Sequence, residues 1–148
     1  MKILLAVDDS KFSEAAVQAV IEQARPQDAE IHVLYVVEPP TLLVGREMGG
    51  YDGALESVWE AETKEAGALV AKVANELRSK GLKVTTSVEQ GDPKSQIIRA
   101  ASEWRADLII IGSHGRKGLE HFLLGSVSDG VARHAACSVE IVRIPSKR

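Results

Sequence analysis

Residues 108–126 read LIIIGSHGRKGLEHFLLGS. Leu108 to Ile111 are apolar at every position, the pattern of a strand covered by helices on both faces, as central strands of a parallel sheet are. Gly112 ends that run, Gly115 follows after two residues, and Gly125 with Ser126 comes after nine more. From Ser126 to Ala135 the spacing turns helical. Ligands of open α/β sheets bind just outside the carboxyl ends of the strands, which is where this glycine-bearing loop lies. Glycine lets main-chain amides approach phosphate oxygens, and a helix beginning at Ser126 adds a hydroxyl and the positive end of its dipole. Such a cradle binds anions without a positively charged protein around it.

The same alternation extends outward in both directions and predicts an α/β protein built on a parallel sheet. Ile3 to Val7 is a second fully apolar run and hence a second central strand. Ser10 or Ser13 caps a helix in which Ala16, Val17, Val20, Ile21 and Ala24 recur at helical spacing before Pro26 stops it. Ile31 to Val37 is the next strand, ended by Pro39 and Pro40. Thr41 to Gly53, with Gly45, Gly49, Gly50 and Gly53, lacks periodicity and reads as a surface loop or a lid. Ala54 to Lys80 forms a long helix burying Leu55, Val58, Trp59, Ala66, Leu69, Val70, Val73 and Leu77, with Gly81 at C′. Lys83 to Glu89 alternates polar and apolar residues as an edge strand does. Asp92 before Pro93 caps a helix that runs to Trp104 and buries Ile97, Ile98, Ala101 and Trp104. Val139 to Ile144 is the last strand, with Val139 and Ile141 on one face and Glu140 and Arg143 on the other.

Composition excludes several function classes. A chain of 148 residues that is 45% hydrophobic and 26% charged has the size and core of one domain, residues 1–148, and not the balance of a disordered segment. The net charge of −3 argues against a generalised basic surface for nucleic acid. One cysteine closes no intramolecular disulfide, and with four scattered histidines it makes no zinc set, so no metal ligands are assigned and a reducing, cytoplasmic setting is expected. MKILLAVDDS is too short an apolar run for a signal peptide, and no run approaches the roughly 20 residues that span a bilayer, so no membrane role is expected.

Known glycine motifs do not match. A P-loop would need Gly-Lys-Ser/Thr five residues after Gly112, where Lys117 and Gly118 stand in the wrong order, and no G-x-G-x-x-G follows the first strand. Asp8, at the carboxyl end of the first strand, reads as a ligand contact in preference to a turn residue. Arg116 and Lys117 read equally as phosphate partners or as solvated loop cations. His114 and His121 read as structural, because no carboxylate can be assigned to orient either ring. His32 and His134 read the same way, and Cys137 as a small buried hydrophobe.

At this point IIIGSHGRKGLEHFLLGSVSDGVARHAACSVEIVR (109–143) resembles the carboxyl-terminal signature of the universal stress protein family. Gly112, Gly115, Gly125 and Ser126 match in full the G-x2-G-x9-G-[ST] pattern of its nucleotide-binding members. ILLAVDDSKFSEAAVQAV (3–20) resembles the family's opening strand, aspartate and helix, and IHVLYVVEPP (31–40) its second strand. The resemblance implies a single-domain, Rossmann-like (adenine nucleotide alpha hydrolase-like) fold, a five-stranded parallel sheet of order 3-2-1-4-5 with helices on both faces. It also implies an ATP site, with or without magnesium, at the carboxyl edge of strands one and four, with AMP and cyclic AMP as alternative ligands. Carried over by position, Asp8 meets the ribose side, the Val36 main chain the adenine, and Gly112 and Gly115 the ribose and phosphates. Gly125, Ser126 and the Val127 amide hold the phosphate tail. The family further implies a homodimer built through the last strand. This chain departs from the pattern at Asp9, where many members have glycine, and at Ser138, where many have proline. Since the sequence assigns no group to position water on a phosphoryl group, the expected function is a nucleotide-binding regulatory protein of the stress response. The alternative is a slow ATPase or an autophosphorylating protein, with Ser126 or His121 as acceptors.

Overall fold

The computed structural model describes residues 1–40, 52–116 and 123–144. Within them the order is β1 (Lys2–Ala6), α1 (Lys11–Gln23), β2 (Glu30–Val37), α2 (Asp52–Ser79), β3 (Lys83–Gln90), α3 (Pro93–Trp104), β4 (Leu108–Gly112), α4 (Ser126–His134) and β5 (Ser138–Val142). The five strands form one parallel sheet in the order β3-β2-β1-β4-β5, as expected. β1 and β4 lie mid-sheet, where their unbroken apolar runs require cover on both faces. Leu5 pairs with Val33 on one side and Ile110 on the other.

Successive residues of a strand point to opposite faces, so the sheet splits the core into two layers. Leu5, Val33 and Ile110 face α1 and α2 and pack with Ala16, Val17, Val20, Val73, Ala74 and Leu77. Leu4, Leu34, Ile109 and Ile111 face α3 and α4 and pack with Ile97, Ala101 and Val131. Leu4 and Leu5 are both fully buried, and each such side chain stabilises the fold by about 1.5–3 kcal/mol relative to an exposed one.

Helix ends follow their local chemistry. Ser10 caps α1 by accepting a 3.2 Å hydrogen bond from the Ser13 amide. Asp92 caps α3, accepting from the Ser95 amide at 3.0 Å and the Ser95 hydroxyl at 2.7 Å, with Pro93 in the first turn. Gly81 follows α2 with φ +86°, a left-handed conformation natural to glycine at that place. Arg105 takes the same region at the end of α3, with φ 58°.

Several expectations need correction. Ile98 is only half-buried; it lies in a surface groove with Lys94, Arg99, Glu103 and His134 and outside both core layers. β5 stops at Val142, so Arg143 lies beyond it and has no strand face. Glu140 does point away from Val139 and Ile141, accepting a hydrogen bond from Gln23 of α1. The glycine-rich stretch from Thr41, with Gly45, Gly49 and Gly50, lies outside the described residues, as do Lys117 and His121.

Candidate functional site

The strand order reverses direction between β1 and β4: the chain runs outward from β1 through β2 to β3, then crosses back to β4. Loops leaving two such neighbours diverge to opposite faces and open a crevice at their carboxyl ends. A cavity of about 630 Å³ occupies that place, within the range of about 300–1,000 Å³ of small-molecule sites. All eight residues singled out by sequence line it: Asp8, Val36, Gly112, Gly115, Arg116, Gly125, Ser126 and Val127.

Each arrives for a local reason. Asp8 leaves β1 and makes a turn: its Oδ1 accepts from the Ser10 amide at 2.9 Å, and its own amide donates to Ser13 Oγ at 3.0 Å. Val36 sits where β2 outruns β1. Val7 donates to the Leu34 carbonyl at 2.9 Å, and peptide groups two residues apart point the same way. The Val36 main chain therefore faces past the end of β1, into the cavity.

The three motif glycines are needed for different contacts. A Cβ on Gly112 would stand 2.6 Å from the Phe12 carbonyl oxygen and 2.7 Å from its carbon, so this glycine admits the start of α1. A Cβ on Gly115 would meet Asp8 Oδ2 at 3.1 Å, so this one admits the carboxylate. A Cβ on Gly125 would lie 3.2 Å from His114 Cα and 3.3 Å from the Ser113 oxygen, where two loops pass close together. Gly125 donates its amide to that oxygen at 2.7 Å, and Ser128 Oγ donates to the same oxygen at 2.7 Å, fixing the start of α4 against the end of β4.

α4 has Gly125 at its N-cap and no side-chain cap. The amides of Ser126, Val127 and Ser128, which precede the first intrahelical bond from Asp129 to Gly125, are those a helix leaves without partners of its own. An anion placed there gains about 0.3–1 kcal/mol, and more when partly buried. The rest of the lining is largely apolar: Ala6, Leu34, Pro39, Pro40, Ile97 and Ile111.

Arg116 lines the cavity, but its guanidinium is committed: Nε lies 3.0 Å from Asp9 Oδ1, with the Tyr35 phenol lining the same cavity. Burial pushes the Tyr35 phenol above its ordinary range, partly offset by the Arg116 charge. Glu62 of α2 and Asp8 add negative charge around the guanidinium, and together with Tyr35 and Asp9 they outweigh its desolvation and hold its pKa up. His114, read as structural, also lines the cavity; its ring packs at 5.0 Å from Phe12, and Nδ1 is 2.9 Å from Ser113 Oγ. His32 is held on β2 by Thr85 Oγ1 at 2.6 Å and Ser87 Oγ at 2.7 Å, remote from the site. Sequence reading missed Tyr35, Glu38, Glu62 and the Pro39–Pro40 wall: the end of β2 and the residues just after it, together with Glu62 of α2, line the cavity beside Val36. The one available signal was the pair of prolines ending a central strand at its ligand-binding end. Among the described residues no cluster of three His, Cys, Asp or Glu side chains could hold a metal ion.

Comparison with known proteins gives one answer throughout. The model of the Universal stress protein family matches residues 1–143. Universal stress protein MJ0531 of Methanocaldococcus jannaschii is 36% identical over 146 residues, covering 99% of this chain and 84% of that protein. Universal stress protein YxiE of Bacillus subtilis is 30% identical over 145 residues, covering 96% and 98%. Among solved structures, universal stress protein UspA from Lactobacillus plantarum superposes with a TM-score of 0.85 at 26% identity, covering 97% of each chain. Two more distant structures share the fold at 20% identity. One is a universal stress protein in complex with cAMP (TM-score 0.63, covering 97% of this chain and 96% of that one). The other is an Arabidopsis thaliana family protein with AMP bound (TM-score 0.66, covering 99% and 93%).

Proposed function

The chain belongs to the universal stress protein family, and from that premise we propose that it binds an adenine nucleotide, ATP with its magnesium counter-ion, as a regulatory signal in the stress response. The observation that carries this reading is the joining of two unlike surfaces in one cavity: an apolar slot beside the Val36 main chain, and the uncapped amino end of α4. A flat, largely apolar base suits the first and a phosphate chain the second, with Asp8 between them for ribose hydroxyls. Gly112 and Gly115 line the passage from ribose to phosphates, and Gly125, Ser126 and the Val127 amide receive the tail. Two family structures with adenine nucleotides, one with AMP and one with cAMP, support the choice of base.

The reading includes little or no hydrolysis. Turnover needs a group that orients water or steadies charge on the transferring phosphoryl group. Here the Asp8 carboxylate is engaged by the Ser10 amide, and Asp9, outside the lining, is engaged by Arg116. A homodimer through β5 is part of the same proposal. Among the described residues β5 pairs on one side only, with β4, and such an edge is open to a second copy. A cytoplasmic location accords with the single cysteine, Cys137.

Calorimetric titration of nucleotide-stripped protein with ATP and magnesium, beside Gly125→Val, tests the site. Micromolar or tighter binding in the parent, lost in the variant, is expected. An equal affinity in both would overturn the assignment of the α4 amino end to the phosphates. Stronger binding of AMP or cyclic AMP would replace ATP as the ligand, and phosphate release at kinase-like rates would replace binding by catalysis.

A further inference from the structure

Arg116 belongs to the loop after β4, yet its ion-pair partner follows β1 and two other groups around it, Tyr35 and Glu62, lie beyond β1. Asp9 follows β1, Tyr35 is on β2, and Glu62 is on α2. In a sheet ordered β3-β2-β1-β4-β5 the side chain therefore reaches across the cavity mouth towards β2. The amino end of α4 lies the other way, bonded to Ser113 at the end of β4. Asp9 itself is not among the residues lining the cavity, whereas Arg116 is. The only cation lining this cavity among the described residues is thus held, by an acid outside it, on the side opposite the anion-binding helix.

Resting on the nucleotide reading above, we propose that Asp9 is a positioning residue: it tethers Arg116 away from the phosphate end and so weakens the preference of the site for longer phosphate chains. Freed from Asp9, the guanidinium would be available to a terminal phosphate, which it matches in charge and geometry. AMP, which carries a single phosphate, gains less from that release than ATP. The pair is more than half exposed, 52% for Arg116 and 58% for Asp9, so neither side chain supports the core and the variants retain the fold.

The test measures Kd for AMP, ADP and ATP in the parent, Asp9→Asn, Arg116→Ala and the double variant, by calorimetry at fixed magnesium and salt. In Asp9→Asn the ratio of ATP to AMP affinity is expected to rise about two- to fivefold, the range an exposed ion pair commands, with ADP between. In the double variant the rise disappears. An unchanged ratio in Asp9→Asn, with both nucleotides bound by the parent, overturns the tether alone. The same rise with and without Arg116 also overturns it, since removal of one negative charge would then suffice. Failure of the parent to bind any of the three overturns the nucleotide reading itself, and the tether with it.

Discussion

Replacing Gly112 by alanine separates the structural from the ligand-binding duty of the first motif glycine. The new methyl would stand 2.6 Å from the Phe12 carbonyl oxygen, 2.7 Å from its carbonyl carbon and 2.9 Å from its Cβ. Ordinary carbon–oxygen contacts are about 3.3–3.6 Å, so the two segments must part by about 0.7–1 Å. Two of the three crowded atoms are main chain in the first turn of α1, and no rotamer change relieves them. The helix start would have to shift against a close-packed interior, carrying with it the Ser10 cap and the Asp8 turn. Overpacking of this kind costs about 1–3 kcal/mol, and a main-chain clash belongs in the upper half, at about 2–3 kcal/mol. For a chain of this size that lowers Tm by about 4–12 °C. Urea unfolding followed by circular dichroism, with the midpoint compared at unchanged slope, measures it. Gly67→Ala is the control: it lies within α2 with nothing inside 4 Å of the added carbon and should stabilise by about 0.5–1 kcal/mol. A Gly112→Ala midpoint within about 0.5 kcal/mol of the parent, the ordinary scatter of neutral surface changes, would refute the reasoning and return the glycine to the ligand.

Three further outcomes follow from caps and titrating groups. The Ser95 side-chain and amide hydrogen bonds hold the Asp92 carboxyl below its ordinary range. The unfolded chain therefore binds the proton first as pH falls, and the stabilisation present above about pH 4 is lost through the folded-state pKa. Asp92→Asn keeps a capping side chain without the titration, so its urea midpoint should trail the parent at pH 7 and converge with it at pH 2. Burial holds the His32 imidazole below 6.5, only partly opposed by Glu89. Folding then disfavours its protonation, stability falls as pH drops below 6.5, and an NMR titration midpoint at or above 6.5 would contradict the burial seen on β2. Arg105→Gly relieves a left-handed residue at φ 58° and should raise stability by about 0.5–1 kcal/mol, the left-handed penalty less the entropy of glycine; a lower urea midpoint would show that the arginine side chain outweighs the strain.

The legible features were those set by a short run of residues. The apolar runs of β1 and β4 announced central strands, the alternation in β3 an edge, and Asp92-Pro93 a helix start, because burial on two faces, burial on one and an uncapped amide each have a local pattern. The eight candidate site residues also meet at one cavity, since a parallel sheet brings all its strand ends to one edge. What required the fold was pairing between distant segments. Nothing near Arg116 in sequence indicates Asp9 as its partner. Gly112 looked like a ligand-approach glycine, and only the placement of Phe12 shows what a side chain there would strike. Ile98 had helical core spacing, but α3 turns it to an outer groove beside Lys94 and His134.

The pairing of β1 with β4 ties the Lys2 amide to the Asp107 carboxylate at 2.7 Å across 105 positions of chain. In a chain made from its amino end, β2 is available to β1 early, whereas β4 follows only after most of the chain has been made. Throughout that interval the apolar edge at Ile3, Leu4 and Leu5 is open to wrong partners. The cavity is finished later still, because its second wall is the start of α4. A molecule that binds there recognises only completed chains, and by mass action it draws them out of the nascent, sticky pool. If the proposed nucleotide fills that cavity, its supply would then influence the yield of finished protein.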